Sequence, residues 1–154
     1  DALLGILAQR LTKQLCPNCK VSYHPANDEL EDLAKEFCQE LKPDDQQKKS
    51  VEKLHSKTWL DWKSHFANAE EQLTLYRAFG CKECNDTGYK GRIALHELLW
   101  ASDNIKKLIV ESAPVTVILD TAIKEGMWTL KQDGIGKVLQ GLTDIHQVRK
   151  VCIK

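Results

Sequence analysis

Two short stretches, LCPNCK at 15–20 and CKECNDTGYKGR at 81–92, each carry a pair of cysteines three positions apart. A C-x2-C pair sits on a tight turn that aims both sulfurs at one point. Two such turns brought together supply four thiolates in a tetrahedron, which zinc accepts without strain. Sixty-one residues separate Cys19 from Cys81, more than the usual zinc-ribbon gap. Whatever fills that interval has to return to where it left, a closure whose entropy grows only slowly with length. Pro17 and Gly88 suit the two turns.

The chain has six cysteines, and its start, DALLGILAQRL, lacks a basic n-region and a small-residue cleavage site. We therefore expect a reducing compartment, which favours a metal site over a disulfide framework. Cys16, Cys19, Cys81 and Cys84 are the expected ligands of a structural zinc. A redox reading of CPNC lacks its βαβ setting and leaves the second pair unexplained. Cys38 reads as a small buried hydrophobe on a helix face, and Cys152 as structural or free. His24, five residues after Cys19, is an alternative ligand, but four thiols already satisfy zinc. His96 beside Glu97 could do acid–base chemistry; an ordinary structural histidine is the simpler reading. His55, His65 and His146 show no partner, and Trp59 with Trp62 reads as core rather than as a stacking platform.

Glycine punctuates the rest. None lies between Gly5 and Gly80, and six follow Gly80, so the interval favours helix. From Asn27 to Leu41 one face carries Leu30, Leu33, Ala34, Phe37, Cys38 and Leu41, with Asn27 as N-cap and Asp28, Glu29, Glu31 and Asp32 in the first turns. Pro43 ends that helix. Asp44 or Asp45 caps a second with Val51 and Leu54; Trp59, Trp62, Phe66 and Leu73 mark a third, less regular piece. This insert, 25–75, holds 12 acids and 7 bases, a net of −5.

The start reads as a short amphipathic helix with Leu4, Leu7 and Leu11 on one side. Leu73 to Phe79 and Arg92 to Leu99 read as strands flanking the second cysteine pair, which would then be the connection of a strand pair. Later helices are expected after Ser102 or Asp103, from Pro114 to a stop at Gly126, from Trp128 to Gly141, and from a Thr143 cap to near Cys152.

Composition excludes several classes. The 154 residues carry no formal net charge, which removes a whole-molecule attraction to nucleic acid or anionic membrane. Residues 1–24 and 76–95 together hold seven bases and three acids, an excess of +4. A zinc held by four thiolates contributes −2, leaving about +2, thin for a phosphate backbone. No apolar run is long enough to span a bilayer. There is no G-x-x-x-x-G-K-[ST]; DGIGK at Asp133 to Lys137 lacks its first glycine and the Ser/Thr. No nucleophile elbow or metalloprotease helix appears, so no catalytic residue is expected.

AQRLTKQLCPNCK, then LYRAFGCKECNDTGYKGRIALHELL, then GMWTLKQDGIGKVLQGLTDIHQV occur in that order. This resembles the C-terminal region of the secretion ATPases that drive type II protein secretion and type IV pilus assembly in bacteria. The matching segments are Ala8 to Leu11, Leu15 to Cys19, Gly80 to Arg92, Glu97 to Leu99, Gly126 to Gly134, and Gly141 to Thr143, about two thirds of the chain overall. The resemblance implies a cytoplasmic hexameric motor peripheral to the inner membrane. Its RecA-like core binds ATP and Mg2+ and precedes this region. The C-terminal part carries a tetracysteine zinc site, at Cys16, Cys19, Cys81 and Cys84 by position, and a helical tail. It implies contact with that core, with neighbouring subunits and with inner-membrane platform proteins, and neither nucleic-acid binding nor membrane insertion. The insert at 25–75 is longer than many members have. The family keeps the residue types of Tyr89 and Arg92, for which the sequence alone supplies no role.

The expected fold is α+β and mostly α. A tetracysteine unit of short strands (1–24 and 76–100) carries a helical insert (25–75) and is followed by a C-terminal helical subdomain (101–154). The expected function is a zinc-binding accessory domain of a secretion or pilus motor, excised from its nucleotide-binding core and not itself an ATPase. The alternatives are a free-standing zinc-ribbon nucleic-acid binder and, last, a chaperone-like zinc module, which needs more glycine-rich repeats than the single copy here.

Overall fold

The computed structural model describes residues 2–39, 50–70 and 72–152, for 50–56 the backbone alone. The fold is α+β and mostly α. Its strands form two antiparallel ribbons. The long one pairs β1 (Gly5–Leu15) with β4 (Tyr89–Trp100), and the short one pairs β2 (Val21–Tyr23) with β3 (Leu75–Arg77).

The start of the chain is thus a strand and not the expected helix. Leu7 and Leu11 are four apart, a spacing that shares a face in a strand as well as in a helix. Pairing decides between them: Leu7 lies opposite Leu98 and Leu11 opposite Ala94. A helix would leave β4 without a hydrogen-bonding neighbour. The expected strand pair around the second cysteine turn is also corrected, since β3 and β4 pair with different partners. Each cysteine pair instead joins one ribbon to the other, Cys16 and Cys19 between β1 and β2, Cys81 and Cys84 between β3 and β4.

The insert leaves from β2 and returns to β3. Tyr23 is paired with Leu75, so its ends are held together by the short ribbon. Helix α1 (Asn27–Cys38) buries Leu30, Leu33, Ala34 and Cys38, the helical stripe read from the sequence. Ala26, not Asn27, is its N-cap; within the first turn Asp28 Oδ1 accepts from the Glu29 N–H at 2.9 Å. Helix α2 (Ser50–Phe66) is one element where two were expected, because its 17 residues contain neither Gly nor Pro. Leu41, Pro43, Asp44 and Asp45 lie outside the described residues, as do the side chains of Val51, Leu54 and His55.

Four helices follow: α3 (Asp103–Val110), α4 (Val115–Lys124), α5 (Leu130–Leu139) and α6 (Ile145–Val151). Ser102 caps α3, accepting from the Ile105 N–H at 3.2 Å, and Pro114 stands at the N-cap of α4. Thr129 and Gln132 form a capping box that starts α5 two residues later than expected. Asp144 caps α6; Thr143, read as that cap, is fully buried and donates to the Lys13 carbonyl.

The main core joins these parts. Leu95 of β4, Ile135 and Val138 of α5 and Val148 of α6 are almost fully buried, and Leu33, Trp62 and Leu75 of the insert and its ribbon close over them. Phe37 of α1 makes edge-to-face contacts with Trp62 at 5.5 Å and Trp128 at 5.6 Å. A second cluster, Ile105, Ala122 and Met127, joins α3 to α4. No described helix is long and apolar enough to cross a membrane.

Candidate metal centre

The two cysteine turns meet where the ribbons join. Cys16 opens the first, with the N–H groups of Cys19 and Lys20 both directed at its carbonyl, at 3.3 and 3.0 Å. The second is a single 3-10 turn, Lys82–Cys84, closed by Asn85 in the left-handed region. The Cys16 N–H donates to the Gly88 carbonyl at 2.9 Å and so ties one turn to the other. Gly88 has φ +77°, and a Cβ there would fall 2.6 Å from the Cβ of Ala78. The residue is therefore required twice, for its backbone angle and for its lack of a side chain.

The four sulfurs, those of Cys16, Cys19, Cys81 and Cys84, all lie within 4.8 Å of one another. Cys16 is 3.9 Å from Cys81, and Cys84 is 3.8 Å from both Cys19 and Cys81. Four sulfurs each about 2.3 Å from one central ion stand about 3.8 Å apart at tetrahedral angles. The donor set is thus close enough, and of the right kind, to hold one metal ion. The group is partly sheltered: Cys16 and Cys84 are buried, and Cys19 and Cys81 are half-buried.

Its electrostatics are uneven. Burial pushes the Cys19 thiol up to about 12, and its sulfur neighbours add to the rise. Burial raises Cys81 as well. At Cys84 burial also acts upward, but the N–H groups of Cys81 and Gly88, each 3.2 Å from Sγ, outweigh it and bring the thiol to about 6. The backbone N–H groups aimed at Cys84 Sγ thus favour its thiolate over those of Cys19 and Cys81.

The remaining candidates fall elsewhere. The His24 Nδ1–H is bonded to the Leu73 carbonyl at 3.1 Å, as part of the insert's closure. Cys38 is buried against Thr58, 3.4 Å away. Cys152 packs at the edge of the main core, and Trp62 is buried in it. His96 and Glu97 do not act together, because adjacent strand residues point to opposite faces. The backbone N–H of His96 donates to Asp133 at 2.8 Å, and Glu97 accepts from the N–H of Leu130 at the start of α5. DGIGK is helical, with Asp133 paired to Lys137 one turn on.

Sequence reasoning missed a polar belt around the centre. Lys20 lies 4.4 Å over the Tyr76 ring, and the Tyr89 hydroxyl donates to Asp144 at 2.6 Å. These contacts join residues far apart in the chain. The signals for them were Tyr89 and the Gly141–Thr143 segment, both of which belong to the matching pattern without a stated reason.

Comparison with known proteins shows the family of the chain. The family described as "Type II/IV secretion system protein" matches residues 1–150. The type IV pilus assembly ATPase PilB of Thermus thermophilus is 36% identical over 96% of this chain and 13% of its own length. The type II secretion system ATPase E of Vibrio cholerae is 33% identical over 98% of this chain and 24% of its own. The type IV pilus assembly ATPase TfpB of Acinetobacter baylyi is 34% identical over 97% and 20%. The chain thus spans a quarter or less of these curated relatives.

Proposed function

The chain belongs to the type II/IV secretion system protein family, and we propose that it is a zinc-stabilised accessory unit of a bacterial secretion or pilus-assembly motor. One observation carries this reading: four cysteine sulfurs grouped within 4.8 Å, with their closest separations at the edge length of a zinc–thiolate tetrahedron. Cys16, Cys19, Cys81 and Cys84 would hold the ion. Its chemistry there is structural. The short ribbon has three residues per strand, too few to be stable alone, and metal binding supplies the folding free energy that the junction lacks.

The unit's role is protein contact. On the outer face of the long ribbon, Leu7, Leu98 and Trp100 are 58%, 50% and 67% exposed, an apolar row on a surface strand pair. We assign that row to contact with a RecA-like core and neighbouring subunits of a hexamer, with inner-membrane platform proteins as further partners. ATP and Mg2+ belong in this reading to that core, and the site is cytoplasmic, peripheral to the inner membrane. The relatives' names, as ATPases of secretion and pilus assembly, support it.

Metal analysis of protein purified without chelators tests the reading. One equivalent of zinc per chain is expected, lost in Cys84→Ser and retained in Cys38→Ser. A wild-type chain without stoichiometric zinc overturns it.

A further inference from the structure

The turn from Gly141 to Asp144, between α5 and α6, is bonded at every residue to chain beside one of the cysteine pairs. The Gly141 carbonyl accepts from Lys20 Nζ at 2.7 Å. The ring of Tyr76 packs so closely below that a Cβ on Gly141 would meet it at 2.5 Å. The Leu142 carbonyl accepts from the Leu15 N–H at 2.9 Å, and Thr143 Oγ1 donates to the Lys13 carbonyl at 2.8 Å. Asp144 does two things with one carboxylate. Oδ1 accepts the Gln147 N–H at 3.0 Å, which starts α6, and Oδ2 accepts the Tyr89 hydroxyl at 2.6 Å.

Leu15 and Lys20 bracket Cys16 and Cys19, while Tyr89 follows Cys84 and is paired with Leu15. The turn therefore takes its position from both cysteine turns at once, and any change in their separation pulls Lys20 and Tyr89 apart. Arg92, by contrast, lies on the exposed outer face of β4 and takes no part. At its far end α6 is held separately, through buried Val148 and the Arg149–Glu36 pair.

We propose that Lys20 and Tyr89 are positioning residues that latch the Gly141–Asp144 turn to the metal unit, so that closing the four cysteines around an ion seats the start of α6. The latch rests on the zinc reading above. Linkage makes it reciprocal: whatever metal binding adds to the seating of α6, a seated α6 adds to metal affinity.

Hydrogen exchange on the intact chain, followed by mass spectrometry, tests it together with competition for zinc by a chromogenic chelator. Removing the metal should speed exchange in the cysteine turns and in α6. It should leave α3 and α4 unchanged, since their Ile105–Ala122–Met127 core does not touch the turn. Tyr89→Phe keeps the ring and deletes one hydrogen bond to a charged group. With zinc saturating, it should speed exchange in α6 about tenfold and weaken zinc affinity about tenfold. If Tyr89→Phe loosens α6 with no change in zinc affinity, the latch is wrong. It is equally wrong if metal removal opens the cysteine turns and leaves α6 protected. A chain that carries no zinc at all overturns the metal reading itself, a result distinct from either.

Discussion

Gly134 and Gly136 lie two residues apart in α5, and the fold assigns opposite signs to the same substitution at each. In a helix interior Gly costs about 0.8–1.0 kcal/mol relative to Ala, so Gly136→Ala should recover about 1 kcal/mol. Its new Cβ would come no closer than 3.4 Å to Trp128 Cζ3, an ordinary contact. At Gly134 the same Cβ would lie 2.5 Å from Val148 Cγ1, 3.1 Å from Cγ2 and 3.3 Å from Leu95 Cδ1. Val148 and Leu95 are fully buried and cannot swing away. Overpacking of this kind costs about 1–3 kcal/mol; taking the upper end and crediting the helix gain leaves Gly134→Ala destabilised by about 2 kcal/mol. The two variants should thus differ by about 3 kcal/mol. For a chain of this size that places Gly136→Ala about 2–4 °C above the parent in melting temperature and Gly134→Ala about 4–8 °C below it. Circular dichroism melts at a fixed free zinc concentration measure both. Adding Val148→Ala to Gly134→Ala should remove the clash, so the double variant should lose less than the sum of the two single losses. Equal shifts of the same sign in the two glycine variants would refute the close packing of Val148 against Gly134.

Thr12 is 2% exposed, and its hydroxyl has no hydrogen-bond partner among the described residues; Thr12→Val should be stabilising by about 1 kcal/mol in urea unfolding, and a loss of stability would show that the hydroxyl is satisfied. Glu36 and Arg149 join the insert to α6 on a partly exposed surface, so a double-mutant cycle to Ala should return a coupling of about 1 kcal/mol or less that fades with added salt. Burial, and then the hydrogen bond to Glu29, hold the Tyr23 hydroxyl well above its ordinary value of 10.0. A group raised on folding contributes stability that is complete below its unfolded value and lost as pH rises through the folded one. Glu29→Gln should therefore move the Tyr23 phenolate transition, followed by ultraviolet absorbance, to lower pH and narrow the pH window over which that stability is lost.

Much of the architecture was legible locally. The stripe of Leu30, Leu33, Ala34 and Cys38 is a helix because burial every third or fourth residue suits no other backbone, and Ser102 caps α3 because its own hydroxyl reaches an N–H three residues on. The four grouped cysteines were legible too, since two C-x2-C turns state their purpose within four residues each. The start of the chain was not, because Leu7 and Leu11 satisfy both periods and only β4, more than 80 residues later, removes the ambiguity. Asp144 in place of Thr143 as the last cap had the same origin. Both side chains can cap, and the choice was made by the Lys13 carbonyl and the Tyr89 hydroxyl.

The sequence by itself determined the four cysteines of a candidate metal centre, the helical character of the insert and the order of the later helices. All of these depend on neighbours a few positions away. Only the tertiary structure decided which strands pair and that each cysteine turn bridges two ribbons. It also decided that the ends of a 51-residue insert meet at Tyr23 and Leu75, and that a four-residue turn near the C-terminus is bonded to both halves of the site. Those choices rest on hydrogen bonds and packing between segments tens of residues apart. Chain connectivity permits many such pairings, and the burial of one shared core selects among them.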